Sequence, residues 1–313
     1  VNVAVIIPFR DRGKDPLRPA NLRRVLMGME GLYRIHVVDD GRSGYESFNR
    51  SAAYNRGADM VDADVLIYCE SDLLVDPIQI REAVALASLT PGLVVPFSRF
   101  MAIAPEDSVR VRDLELEPEE AVSHQVRGDR QSIGAVNVVS RESLSLIGQY
   151  DESFEGAWYD DDAMCRAFEV CCGPTRFIDG PGYHLYHLPG ASGDHLTDAD
   201  RAATERNKAR YQLYRQATTP ERIRELTAGG CVMADHLITG PDGIQYTLAE
   251  WVNSHIVGTF EQMLPGGKTR KGGACSCGWR TPPFDPVGDR AKAMADEHKR
   301  LEDLADEMRR ENG

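Results

Sequence analysis

Apolar positions along the chain follow two rhythms. Short continuous runs at Val3–Ile7, Ile35–Val38, Val65–Cys69, Leu93–Phe97 and Ile133–Val139 have the length and β-branched character of buried strands. Between them apolar residues recur every three or four positions, as at Leu22, Val25, Leu26 and Met29 within Pro19–Gly31. Further helical stretches are predicted over Ser47–Asp59, Asp76–Ser88, Arg141–Gly148 and Ala163–Val170. Asp76-Pro77 is a helix-start pair. Strand, helix and strand in alternation predict an α/β fold, with a mostly parallel sheet flanked by helices. Ile103–Arg130 is acidic and poorly periodic and is expected to be an excursion or flexible loop. Asp198–Gln216 is a helix with few apolar positions, expected on the outside of the domain.

The polar residues of interest sit where the apolar runs stop. Val65–Cys69 breaks at Glu70-Ser71-Asp72 before Leu73, Leu74 and Val75 resume. Open α/β sheets bind ligands at the carboxyl ends of their strands. Two acids so placed can hold a divalent cation, which usually carries a phosphate-bearing substrate. The first strand ends in Pro8-Phe9-Arg10-Asp11-Arg12 at the same edge, and arginines there suit pyrophosphate or carboxylate. The second ends in Asp39-Asp40-Gly41. Asp160, Asp161 and Asp162 open a helix beside Trp158 and Tyr159. Helix capping needs one or two such acids, so a third leaves room for a general base. His184 and His187 lie in the Gly/Pro-bounded stretch GPGYHLYHLPG. They suit one metal if the backbone turns and opposite faces if it is extended; taken in isolation, two exposed histidines without a metal is the plainer reading.

Charge narrows the field. A net charge of −13 over 313 residues, without a concentrated basic tract, disfavours duplex DNA and anionic membranes. No apolar run approaches the length of a membrane span. Seven scattered cysteines do not form a secreted disulfide framework, and the chain is expected to be cytoplasmic with reduced thiols.

Together these stretches resemble family 2 glycosyltransferases of GT-A fold, in particular the β-1,4-galactosyltransferase-like branch, over roughly Val3 to His187. IIPFRDR at Ile6–Arg12 is similar to that branch's first nucleotide loop, and Phe48-Asn49-Arg50 to its nucleobase-contacting FNR. Glu70-Ser71-Asp72 stands where the family has Asp-x-Asp, and Gly134–Ser140 (GAVNVVS) resembles the strand before the acceptor site. Phe154–Arg166 resembles a Trp/Gly-rich loop followed by Glu-Asp, although here it reads Ala157-Trp158-Tyr159 before the acids.

The resemblance implies a metal-dependent, inverting transfer of a sugar from a nucleotide-diphosphate donor, a UDP-sugar foremost, to a hydroxyl on a glycan, protein or other acceptor. Pro8, Phe9, Arg10, Arg12, Phe48 and Arg50 would hold the nucleotide, with Asp39 or Asp40 on a uracil or ribose group. Asp72, His184 and His187 would hold Mn²⁺ or Mg²⁺, Glu70 assisting, and imidazole ligands tilt the choice toward Mn²⁺. Gly134, Trp158 and Tyr159 would face the acceptor. Counting forward from Phe154 makes Asp161 the base, and counting back from Arg166 makes it Asp160; Asp161 is preferred. A catalytically silent nucleotide-sugar or glycan-binding module of the same fold is the alternative. A metal-dependent hydrolase ranks last, because it leaves the PFRDR and FNR stretches without a role.

The character changes near Thr218, so the chain is expected to divide into residues 1–217 and an α+β appendage over 218–313. Thr218-Thr219-Pro220 starts a short helix, and Gly229–Met263 alternates in β fashion around the turn signal Gly240-Pro241-Asp242-Gly243. Gly266–Gly273 reads as a Gly/Lys linker. Cys275 and Cys277, with His298 and either His255 or Cys231, offer zinc-type donors. The C-x-C spacing departs from the usual C-x₂-C, so reduced cysteines are preferred. Asp285–Asn312 carries a helical seam suited to pairing within the chain or between copies.

Overall fold

The computed structural model describes residues 1–228 except Tyr45, Asp129, Gln131 and Ala191; beyond them it describes only the backbone of four short strands. The chain separates into two units, Val1–Gly230 and Cys231–Gly313.

The first unit begins with β1 (Val3–Pro8), α1 (Leu17–Met29), β2 (Arg34–Val38), α2 (Arg50–Asp59) and β3 (Val65–Cys69). β4 (Leu73–Val75), α3 (Pro77–Leu89), β5 (Val94–Val95) and β6 (Arg99–Ile103) follow. Then come α4 (Pro105–Arg112), β7 (Ser123–Arg127), β8 (Val136–Ser140), α5 (Arg141–Ile147) and α6 (Asp160–Cys172). β9 (Arg176–Phe177), β10 (Pro181–His184), α7 (Asp198–Gln216) and α8 (Pro220–Thr227) complete it.

Six strands form one sheet in the order β2-β1-β3-β8-β5-β9. β1 pairs in parallel with β2 and β3, and β5 with β9, whereas β8 runs antiparallel to both β3 and β5. The sheet is therefore α/β and mostly parallel, with one reversed strand that apolar content alone did not mark. Ile6, Ile7, Leu66 and Ile67 are fully buried at its centre. Each such side chain contributes about 1.5–3 kcal/mol by leaving water. Local chemistry fixes the helix starts. The Asn49 side chain accepts from the Ala52 N–H at the head of α2, and Asp76 accepts from Ile78 before Pro77 opens α3. Among the described residues no helix is long and apolar enough to cross a membrane.

A second sheet has the order β4-β10-β6-β7. The chain leaves the first sheet at the end of β3 and enters the second at β4, so Glu70-Ser71-Asp72 is the hinge between them. Ile103–Arg130, expected to be a loop, contains the last residue of β6, then α4 and β7. Its order comes from contacts that lie far off in sequence. β7 pairs antiparallel with β6, and Arg112 of α4 donates to Asn21 of α1 at 2.9 Å. Ser108, fully buried, accepts from the Tyr186 N–H.

Helix α8, assigned by composition to the second region, packs into the first unit's core through Ile223 and Leu226. In the second unit Ile238–Thr239 pairs with Gln245–Tyr246, and Val257–Met263 pairs with Thr269–Cys275. Much of the expected Gly/Lys linker is thus strand, because glycine and lysine weaken a strand without preventing its pairing. Cys277, His298, Cys231, His255 and the terminal seam lie outside the described residues, as does the Cys275 side chain.

Asp151, fully buried, accepts from Arg210 Nε at 2.5 Å and from the Tyr214 hydroxyl at 2.8 Å. Asp151→Ala removes the carboxylate that balances a buried guanidinium. Stability is expected to fall by about 3–5 kcal/mol, read as a lower urea midpoint at unchanged denaturant slope.

Candidate functional site

Strand register brings Asp72 and His184 together. Leu73 opposes His184 across the β4–β10 pair, and the Leu185 N–H donates to the Asp72 carbonyl at 2.8 Å. β10 ends at His184, and the chain then turns so that His187 also faces Asp72. One ligand atom from each of Asp72, His184 and His187 can be chosen so that all lie within 4.8 Å of one another. His184 Nε2 is 3.6 Å from Asp72 Oδ1, and His187 Nε2 is 3.4 Å from Asp72 Oδ2.

The donor chemistry fits a divalent cation. Asp72 is 1% exposed, and its Oδ1 accepts no hydrogen bond. Burial opposes its ionisation, but the positive charge around it, Arg18 and Arg50 included, outweighs that and holds the carboxyl below its ordinary range. Burial pushes the His184 imidazole down to about 4, which keeps it neutral, the state a metal ligand requires. His187 Nδ1 is 2.6 Å from the Leu188 carbonyl. We assign its proton to Nδ1 on that distance, which leaves the Nε2 lone pair toward Asp72.

The second cluster lies around Arg50, in the first turn of α2. Its guanidinium donates to Asp160 Oδ2 through Nε at 2.8 Å and NH2 at 2.5 Å, and to Asp161 Oδ2 at 2.9 Å; it also pairs with Glu70. Asp160 is buried, while a third of the Asp161 side chain is exposed. Burial pushes Asp161 up to about 6; Arg50 opposes the shift and the negative charges of Asp160 and Asp162 add to it. Gly134 packs against this carboxylate, and a Cβ there would come within 2.6 Å of Asp161 Cγ. Ala135, Trp158 and Tyr159 all have left-handed backbone, at φ 71°, 75° and 71°. Non-glycine residues in that region store strain, which concentrates at functional sites. Tyr159 begins α6 in this conformation, and Trp158 is left 56% exposed.

The residues expected to hold a nucleotide gather at the ends of β1 and β2, but their charges face carboxylates. Arg10 forks onto Asp40 at 2.8 and 3.3 Å, donates to the Gly44 and Glu46 carbonyls, and lies over the Phe48 ring. Arg12 and Lys14 both pair with Asp200 of α7, at 2.8 and 2.7 Å. Asp39 is exposed and pairs with Arg56 at 2.9 Å. Pro8 pairs in register with Val38, and the Phe9 N–H donates to the Val38 carbonyl. Arg10, Arg12 and Arg50, expected to hold the nucleotide, thus all pair with carboxylates in this structure. The partner of Arg10 comes from the neighbouring strand's end, whereas those of Arg12 and most of those of Arg50 come from distant segments.

Several site-shaping residues escaped the sequence reading. Asn207 of α7 donates to the carbonyls of Glu155, Ala157 and Trp158 and accepts from the Glu155 N–H, fixing the loop before the acids. Asp200, Asn207 and Arg210 are buried along one face of α7. Their i, i+7, i+10 spacing was the available signal, hidden because a polar stripe reads as a solvated face. Asp15 accepts from the Leu188 N–H at 2.8 Å and lies 4.0 Å from His187 Nδ1.

No family model matches the sequence, and no curated protein matches it. Among solved structures, the catalytic domain of Drosophila β1,4-galactosyltransferase 7 in complex with xylobiose is similar at 13% identity and TM-score 0.42, over 87% of this chain and 92% of that one. Glucosyl-3-phosphoglycerate synthase from Mycobacterium tuberculosis, in complex with Mg²⁺ and UDP, has 13% identity and TM-score 0.43, over 79% and 86%. GalNAc-T7 with UDP, GalNAc and Mn²⁺ has 14% identity and TM-score 0.44, over 73% and 54%. At such identities and scores the chemistry has to be read from this chain's own side chains.

Asp72→Ala is expected to weaken Mn²⁺ binding at least about tenfold, the low end of what even outer-shell changes cost. Electron paramagnetic resonance of free Mn²⁺ during titration reads this directly.

Proposed function

We propose that this chain is a metal-dependent glycosyltransferase of GT-A type. It would move a sugar from a nucleoside-diphosphate donor to an acceptor hydroxyl with inversion. The observation that carries the proposal is the convergence of Asp72, His184 and His187 at the hinge between two sheets. Beside it, Arg50 joins the hinge acid Glu70 to the carboxylate pair Asp160 and Asp161. The order of the sequence motifs supports the same reading.

In this scheme Asp72, His184 and His187 would hold the cation, which when bound would supply charge neutralisation for the diphosphate. The donor set of two imidazoles and one carboxylate favours Mn²⁺ over Mg²⁺. Arg10, Asp40 and Phe48 shape the nucleoside end, Pro8 and Phe9 form its floor, and Asp39 lies at its rim. Asp161 is the general base. It takes the acceptor hydroxyl's proton as the oxygen bonds to the anomeric carbon, and the bond to the diphosphate oxygen breaks with its electron pair. Partial exposure and a raised pKa suit Asp161 to this role; Asp160, buried and forked by Arg50, supports it. Gly134 leaves room for the Asp161 carboxylate, and Trp158 and Tyr159 offer the acceptor an aromatic surface.

The test is thermal stabilisation by UDP, GDP, TDP and CMP, each with Mn²⁺ and with EDTA, followed by transfer assays with the nucleotide that binds. One diphosphate is expected to stabilise the protein only with metal. No shift with any of them sinks the transferase reading. Asp161→Asn is expected to lower transfer about 10²–10⁴-fold with nucleotide stabilisation retained. Unchanged transfer in that variant would remove Asp161 from the chemistry, and absent transfer in the wild type, with binding intact, would favour a silent module.

The pH profile checks the base separately. A base works only when ionised, and burial favours the neutral form of Asp161. kcat/KM is therefore expected to fall as pH drops through about 6. An ordinary aspartate would hold activity down to about pH 4.

A further inference from the structure

The basic groups of the candidate site and its surroundings are held very unequally. Arg10, Arg12, Lys14, Arg42 and Arg50 each approach a carboxylate oxygen at 2.8 Å or less. Arg18, the second residue of α1, has only long contacts: 3.4 Å to Asp72 Oδ2, 3.3 Å to His187 Nδ1 and 3.9 Å to Asp15 Oδ2. Its side chain is 40% exposed, and it leans on two of the three atoms' owners that make up the metal-type cluster.

The contact with His187 is weaker than its length implies. With the Nδ1 proton directed at the Leu188 carbonyl, that nitrogen has no lone pair to offer Arg18. Arg18 therefore stands against Asp72 mainly as a counter-charge. A cation bound by Asp72, His184 and His187 takes over that duty and repels the guanidinium at the same time. Two positive groups so close favour an anion between them. Arg18 also sits at the N-terminal end of α1, where the helix dipole adds positive potential.

We propose that Arg18 is a diphosphate-binding residue of this site, resting on the transferase reading above. Without metal it shields Asp72. With metal it releases that carboxylate and pairs with the oxygens of the leaving diphosphate, the forked geometry for which guanidinium is suited. The assignment places the phosphate-binding charge outside the PFRDR loop, whose arginines are committed to Asp40 and Asp200.

Calorimetric titration of the full chain with Mn²⁺ alone, and then with UDP or base-free pyrophosphate at saturating Mn²⁺, tests this. Arg18→Ala and Arg18→Gln are compared with the wild type and with Arg23→Ala, a change of the same charge on an exposed position of α1. In both Arg18 variants Mn²⁺ alone is expected to bind as tightly as in the wild type or several-fold tighter. UDP and pyrophosphate are expected to bind at least tenfold more weakly, and Arg23→Ala to change neither. Equal weakening of Mn²⁺ and UDP would make Arg18 a support for Asp72 and overturn the proposal, as would unchanged UDP and pyrophosphate binding. A wild-type protein that takes up Mn²⁺ but neither anion also overturns it. One that binds no Mn²⁺ at all identifies the transferase reading as the part that failed.

Discussion

The candidate site depends on a single positive charge. Arg50 gathers Glu70, Asp160 and Asp161, three acids from two segments that lie ninety residues apart. Without it these carboxylates would repel one another, and burying them would carry a large desolvation cost. With it, each acid takes a different environment: Asp160 is enclosed and forked, Asp161 is partly exposed with a raised pKa, and Glu70 is fixed at the sheet hinge. One guanidinium thus produces both the clustering of acids and the difference between them. The base proposed at Asp161 would need that difference.

Around this centre helix α7 acts as a brace. Asp200 binds Arg12 and Lys14 beyond β1, Asn207 holds the loop that carries Trp158, and Arg210 anchors Asp151 just before that loop. The loop after β1 and the loop before α6 therefore lean on one rigid element. The arrangement explains how a backbone with left-handed residues at Trp158 and Tyr159 is kept in place: hydrogen bonds to the carbonyls of Ala157 and Trp158 come from a buried amide whose own position is set by helix packing.

Much of the fold could be read from apolar rhythm, because buried strands and amphipathic helices leave local marks. The five runs chosen as strands all contain strands, and the hinge acids were visible as an abrupt stop at Glu70. The region Ile103–Arg130 was not legible, since its order derives from Arg112 meeting Asn21 and from β7 meeting β6. The metal-type trio was visible only as separate residues; its convergence depends on the Leu73–His184 register and the turn after β10. Least legible were the charge pairings. A sequence shows which arginines exist but not which acids reach them, so Arg10, Arg12 and Arg50 read as ligand-binding groups, while Asp200 and Asn207 read as solvent-facing ones.

The pairing of Arg12 with Asp200 joins positions 188 residues apart, and that separation has a temporal consequence. During synthesis at the ribosome, β1, α2 and the hinge acids emerge long before α6 and α7. Until those helices arrive, Arg10 has Asp40 at hand, but Arg12, Lys14 and most of the Arg50 pairing lack their acids. The amino-terminal strands can assemble early through local pairing, whereas the site is completed only by contacts that close very long loops, the slowest kind to form. A nascent chain released before α7 would carry every residue of the PFRDR and FNR motifs and the hinge acids, yet have the wrong charge balance around them. The charge balance of the candidate site, on this view, is set only once α7 has emerged rather than growing steadily with the length of the chain.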